Sequence, residues 1–129
     1  MMGRVGGILV FAMALASVAV AAEQKRLSHD VYFALNDSSD GAKATLVAAC
    51  KKYLTGHEGA VSFGVGTLVG ENARPVNDRD FDVALHIVFR DKASHDKYQE
   101  APRHKQFIAE QSANWKKVRV FDSWLEARN

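Results

Sequence analysis

Tyr98 and His104, six residues apart, have the types and spacing for proton transfer. An imidazole with an ordinary pKa of about 6.5 can take a proton at neutral pH, and a phenol can orient it or donate to a developing oxyanion. On an unbroken helix that separation turns through about 600°, which leaves the two side chains roughly 120° out of line. Pro102 stands between them. It lacks an amide hydrogen and its ring clashes with the preceding turn, so a break is expected there, and the break lets both side chains face one side. The chemistry such a pair supports is proton abstraction next to a carbonyl, with His104 as base and Tyr98 as its hydrogen-bond partner. The bland alternative is a hydrogen-bonded core histidine beside a tyrosine that fills volume.

The elements that must position them are legible from periodicity. Alternate positions from Leu27 to Leu35 are Leu, His, Val, Phe and Leu, the period-two pattern of a strand with one face on a core, and His29 shares that face. Asp37, Ser38 and Ser39 offer side-chain acceptors to a helix start, and Gly56 offers a stop, predicting a helix over about Ser39–Thr55. Val61, Phe63, Val65 and Thr67 predict one face of a second strand. A polar, breaker-rich loop over Gly70–Arg79 follows. The third strand, Phe81–Phe89, puts Phe81, Val83, Leu85, Ile87 and Phe89 on one face and Asp82, Ala84, His86 and Val88 on the other. Asp91 starts a helix that Pro102 interrupts. A second helix carries His104, Phe107, Ile108, Gln111 and Trp115, and Val118–Phe121 forms a last strand.

The order β-α-β-β-α-β, with the last helix broken, predicts an α+β, ferredoxin-like fold: an antiparallel four-stranded sheet with helices on one face. The other face, carrying Ala84, His86 and Val88, is too apolar to stay wet. A second copy of the chain is the economical cover, since burying apolar area contributes about 25 cal/mol per Å² and symmetric dimers are the commonest oligomers.

Other reactive residues point away from chemistry. Cys50, the only cysteine, falls in the helical series Leu46, Val47, Cys50, Tyr53, Leu54 and reads as a buried thiol. His57-Glu58 lacks the second histidine of a zinc helix, and His95 has no acidic or cysteine neighbour at metal-ligand spacing. His86 belongs to the face expected at a dimer interface. Gly64-Val65-Gly66 with Gly70 lacks the spacing of a dinucleotide-binding run. The residues therefore call for no metal and no cofactor.

The amino terminus carries Arg4, an Ala- and Val-rich apolar run, and small residues at Ala19, Ala21 and Ala22, the layout of a secretory signal cleaved near Ala22. Residues 1–22 are read as that signal and residues 23–129 as one domain. The mature chain is then exported, to a periplasm or extracellular space, with no stable membrane anchor. An uncleaved anchor is the alternative, because Val5–Ala22 approaches the shortest span of roughly 17 residues. The formal net charge is +2, and +1 without Arg4. No electrostatic case for a nucleic-acid partner follows.

Four segments together resemble the stress-responsive dimeric α/β-barrel (Dabb) family: His29-Asp30-Val31-Tyr32-Phe33, the FDVALHIVF strand from Phe81, Tyr98 followed by Pro102-Arg103-His104, and Val118-Arg119-Val120-Phe121-Asp122. The resemblance spans about Leu27 to Ser123. It implies sheets paired face to face in a homodimer, with a small cavity between each sheet and its own helices. Enzymatic members include plant polyketide cyclases that use a histidine and a tyrosine of the broken-helix motif. Tyr98 and His104 match those two positions, and His29 matches a first-strand histidine lining the same cavity. Where the family often reads His-Pro-x-His, this chain has Ala101, and a third-strand histidine of the cyclases falls at Val83.

The resulting expectation is a homodimer whose cavity, lined by His29, Val83 and Phe107, takes a small apolar or carbonyl-containing ligand, with Tyr98 and His104 as candidate catalytic residues. Three readings compete: a stress-protective binding protein, a lyase or cyclase-like enzyme, and a haem-handling or monooxygenase-like barrel suggested by shared architecture alone.

Overall fold

The computed structural model describes residues 10–17 and 24–128. The expected cleavage point after Ala22 lies outside the described residues, as does most of the apolar run before it. Residues 10–17 form no helix or strand, and no described helix is long and apolar enough to cross a membrane.

The domain runs β1 (Arg26–Leu35), α1 (Asp40–Tyr53), β2 (Ala60–Thr67), β3 (Val83–Phe89), α2 (Lys92–Glu100), α3 (Pro102–Gln111), a single 3₁₀ turn over Ser112–Asn114, and β4 (Trp115–Leu125). The strands form one antiparallel sheet in the order β2-β3-β1-β4. The expected α+β, ferredoxin-like arrangement is what the chain adopts.

Local chemistry explains the element boundaries. Ser39 caps α1 by accepting from the Ala42 amide at 3.2 Å, and Asp91 caps α2 by accepting from the Ser94 amide at 2.7 Å. Ala101, in extended conformation with φ −63° and ψ 138°, separates α2 from α3, and Pro102 takes the first helical position. A residue before proline disfavours the helical region, and proline at a helix start forfeits an amide hydrogen that has no intrahelical partner anyway.

The inner sheet face carries Leu27, His29, Val31, Phe33 and Leu35 from β1 and Val83, Leu85, Ile87 and Phe89 from β3, all buried under the helices. Leu46, Ala49, Cys50, Tyr53 and Leu54 meet them from α1 and its cap, Tyr98 from α2 and Phe107 from α3. Each large aliphatic or aromatic side chain buried this way contributes about 1.5–3 kcal/mol. Cys50 is a fully buried packing residue, and burial pushes its thiol pKa up to about 12.

Four boundary expectations need correction. A bulge between Ala60 and Ser62 turns Val61 out to 46 % exposure. Phe81 precedes β3 and stacks edge-on against Tyr32 at 4.9 Å, because the Asp82 amide and carboxylate bond to the Phe33 carbonyl and Leu35 amide of β1 and end the strand pattern there. Trp115 begins β4 rather than continuing α3, since the 3₁₀ turn intervenes. The last strand is far longer than Val118–Phe121 and pairs with all of β1.

Gly59 fixes how the loop after α1 enters the sheet. Its φ is +80°, and a Cβ there would lie 2.0 Å from Ser94 Oγ and 2.4 Å from Ser94 Cβ. Ser94 is buried in the first turn of α2, so it has little room to yield. Gly59→Ala is expected to cost about 2–4 kcal/mol, from the left-handed backbone and the overlap together. Urea unfolding measures this, and a loss below about 0.5 kcal/mol would contradict the close approach.

Candidate functional site

The helices pack over β1, β2 and β3. Edge strand β4 is only partly roofed: Phe107 of α3 packs on Trp115 at its start, at 5.6 Å, and farther along its inner-facing Val118, Val120 and Asp122 stay substantially exposed. The gap forms a cavity of about 380 Å³ between sheet and helices. Its size falls at the small end of ligand sites, about 300–1,000 Å³.

Most of the wall is apolar, with Val31, Phe33, Leu54, Leu85, Phe107 and Ile108 among its residues. Five side chains bring chemistry to it: His29 from β1, His95 and Tyr98 from α2, His104 from α3, and Asp122 from β4. Trp115 and Gln99 complete its polar groups.

The break at Ala101-Pro102 does what its position predicts. Tyr98 and His104 come together with ring centroids 4.6 Å apart and planes at 58°. They touch through their rings; the Tyr98 hydroxyl makes no hydrogen bond to His104. Tyr98 is almost wholly buried among aromatic groups, with Phe89 at 5.1 Å, His57 at 5.0 Å and His29 at 5.8 Å. Burial raises its phenol above the ordinary range, so it stays protonated and can serve only as a donor or neutral acceptor.

Burial also lowers the His104 pKa below its ordinary value, assisted by the nearby His29. The imidazole is therefore neutral at pH 7, the state a base requires. His104 Nδ1 is buried without a hydrogen-bond partner, and so is Trp115 Nε1 on the same cavity wall. Buried polar atoms are normally paired; with His95 Nδ1, three residues of this one cavity wall carry a ring nitrogen that is closed to solvent and has no partner, and a bound molecule reaches such an atom through a small movement of its ring.

His29 is more than a wall residue. Its Nδ1 meets Asp122 Oδ1 at 2.6 Å, through the antiparallel register that sets His29 opposite Asp122, and lies 3.3 Å from His95 Nε2. Gln99 donates from Nε2 to His95 Nε2 at 3.1 Å. Burial and the adjacent His29 lower the His95 pKa and keep this imidazole neutral as well.

The residues expected at the site divide cleanly. His29, Tyr98, His104 and Phe107 line the cavity. Val83 does not: it is fully buried on β3, paired between Phe33 and Thr67, whereas the cavity lies over β1 and β4 and reaches β3 only at Leu85. Sequence reading missed His95, Asp122 and Trp115. His95 has no acidic or cysteine neighbour at metal-ligand spacing in the sequence, yet the fold brings it an acid from β4 and a histidine from β1. A signal for Asp122 did exist, as the one acidic residue at an inward position of the last strand, but it needed the β1–β4 register to be read.

On the opposite sheet face, Tyr32 packs against Phe121 at 5.7 Å and His86 at 5.8 Å, while His86 Nδ1 meets Asp30 Oδ1 at 2.6 Å. A hollow of about 400 Å³ lies there between Asp30, Tyr32, Asp78, Phe81, Arg119 and Phe121. No helix among the described residues covers this face, and Phe121 is 53 % exposed.

Comparison with known proteins places this geometry. The family model described as Stress responsive A/B Barrel Domain matches residues 27–125. A Dabb family protein with a ferredoxin-like fold from Mesorhizobium loti superposes with a TM-score of 0.67 at 20 % identity, over 81 % of this chain and 100 % of that one. A dimeric ferredoxin-like protein from Thermobifida fusca gives 0.67 at 15 % identity, over 85 % and 100 %. The hydroxynitrile lyase of Passiflora edulis gives 0.65 at 17 % identity, over 81 % and 97 %. At these identities the likeness is one of fold. No curated protein matches the chain.

Proposed function

The chain belongs to the stress-responsive A/B barrel domain (Dabb) family, and from that premise we propose that it is an exported homodimer that binds a small carbonyl-bearing ligand between sheet and helices and moves a proton next to that carbonyl. The observation that carries this reading is the convergence of His29, Tyr98 and His104 on one largely apolar cavity, three of whose lining residues, His95, His104 and Trp115, carry an unpartnered ring nitrogen. A carbonyl oxygen answers the Trp115 indole N–H, a donor with nothing to accept from it, while the ligand body fills the apolar wall. His104, neutral and short of a partner, takes the proton, and the protonated Tyr98 hydroxyl stabilises the oxyanion that develops. The Passiflora edulis protein of the same fold is a lyase, which is compatible with such a site and does not define its substrate here.

The homodimer reading rests on the uncovered sheet face around Tyr32 and Phe121, and on the dimeric state of the Thermobifida fusca protein. Export rests on the residue pattern before Ala22. Ligand binding without turnover is the second reading, favoured by the missing hydrogen bond between Tyr98 and His104.

Deuterium wash-in at the methyl group of acetophenone, followed by NMR in heavy water, tests the reaction. Exchange above the buffer rate is expected, and exchange at the buffer rate with saturable binding would leave the second reading. Sedimentation of the same sample should give twice the chain mass, and a monomer at all working concentrations would remove the dimer.

A further inference from the structure

Three elements far apart in sequence bring His29, His95 and Asp122 together so that one donor atom from each lies within 4.8 Å of the others. Two of the three are buried imidazoles on regular elements, His29 at 4 % and His95 at 9 % exposure, and the third is a carboxylate with 43 % of its side chain exposed at the cavity mouth. We propose that this triad is a divalent transition-metal site, held by His29 Nδ1, His95 Nε2 and a carboxylate oxygen of Asp122, with its remaining coordination positions open to the cavity.

The distances suit that assignment. Tetrahedral coordination at metal–nitrogen bonds of about 2.0–2.1 Å separates neighbouring donors by roughly 3.3–3.4 Å. His29 Nδ1 and His95 Nε2 stand 3.3 Å apart. The 2.6 Å contact between His29 and Asp122 is shorter than such an edge because a proton occupies it. The ion replaces that proton, and Asp122, the exposed member, has the freedom to move outward. Gln99, which donates to His95 Nε2 at 3.1 Å, must release it.

The surroundings of His95 add an independent reason. Its Nδ1 is buried with no hydrogen-bond partner, 3.7 Å from an Asp96 carboxylate oxygen. A histidine that ligates through Nε2 carries its proton on Nδ1, and such ligands usually donate it to a carboxylate or carbonyl. Asp96, whose carboxylate is held by the exposed Lys92 Nζ at 2.8 Å, supplies that partner by a side-chain rotation that loosens this surface contact. Two imidazoles and one carboxylate select ions such as Zn²⁺ or Co²⁺; Mg²⁺ and Ca²⁺ prefer sites built from oxygen. The site shares the cavity with Tyr98 and His104 but does not depend on proton transfer by either.

The test is titration of tag-free protein with Co²⁺, followed by its visible absorption bands, and with Zn²⁺ by calorimetry in the presence of excess Mg²⁺. One ion per chain is expected. His95→Leu and Asp122→Asn should each weaken binding more than about tenfold, while His104→Ala leaves it unchanged. Asp122→Asn keeps the size of a half-exposed side chain and an oxygen that can accept from His29 Nδ1, and it serves even where His95→Leu disturbs folding. Absence of saturable one-to-one binding, or binding indifferent to Asp122→Asn in folded protein, would overturn the assignment.

Discussion

Replacing His104 with alanine is expected to lower the rate of α-proton exchange at least about 100-fold, the usual contribution of a positioned general base, while the protein keeps its fold and dimeric state. The fold should tolerate the change because His104 is only partly buried and its Nδ1 has no hydrogen bond to lose. The pH profile separates a base from a packing residue. A base works unprotonated, so the rate rises with pH through the His104 pKa. Burial sets that pKa below the ordinary value, so the acid limb should have its midpoint under about 6.5.

Linkage gives a second readout. His104 binds protons less readily folded than unfolded, so its full contribution to stability is present above the unfolded pKa of about 6.5. It is lost as pH falls from there through the lower folded pKa. His104→Ala should therefore soften the loss of thermal stability just below pH 6.5. An unchanged exchange rate in the folded variant would end the catalytic assignment, whatever the stability data show.

Phe89→Ala should be the most damaging single truncation for stability, at about 3–5 kcal/mol. Phe89 is completely buried and packs its ring against Tyr98 at 5.1 Å, His95 at 5.4 Å and His29 at 6.4 Å. Truncation removes apolar transfer energy and leaves a void that three ring systems, held by their own helices and strands, cannot close. In a domain of this size each 1 kcal/mol moves Tm by about 4–8 °C, so a fall of about 12 °C or more is expected. Because the same ring braces the polar cluster, ligand or metal affinity should fall with it even in protein that remains folded. A loss under about 1 kcal/mol in urea unfolding would show that the layer repacks and that Phe89 is not its keystone.

The broken helix shows how far local sequence reaches. Pro102 acts on the residues beside it, so the break, the extended Ala101 and the meeting of Tyr98 with His104 all follow from a few neighbouring residues. The inner face of β1, His29 included, was equally readable, because side-chain direction in a strand alternates with period two whatever the strand pairs with. Errors fell where that alternation is interrupted by contacts from elsewhere. A bulge against β3 exposes Val61, and Asp82, bonded to β1, turns Phe81 to the opposite face.

The sequence by itself therefore determined the elements, their order, the broken helix and the pair of residues it unites, since all of these depend on interactions between near neighbours. Tertiary structure alone decided three things: that edge strand β4 is only partly roofed and opens the cavity, that Val83 falls outside it, and that Asp122 and His95 join His29. The physical reason is register. His29 and Asp122 are 93 residues apart, and His29 and His95 are 66 apart. Only the pairing of β1 with β4 and the docking of α2 on the sheet convert those separations into hydrogen-bonding distance.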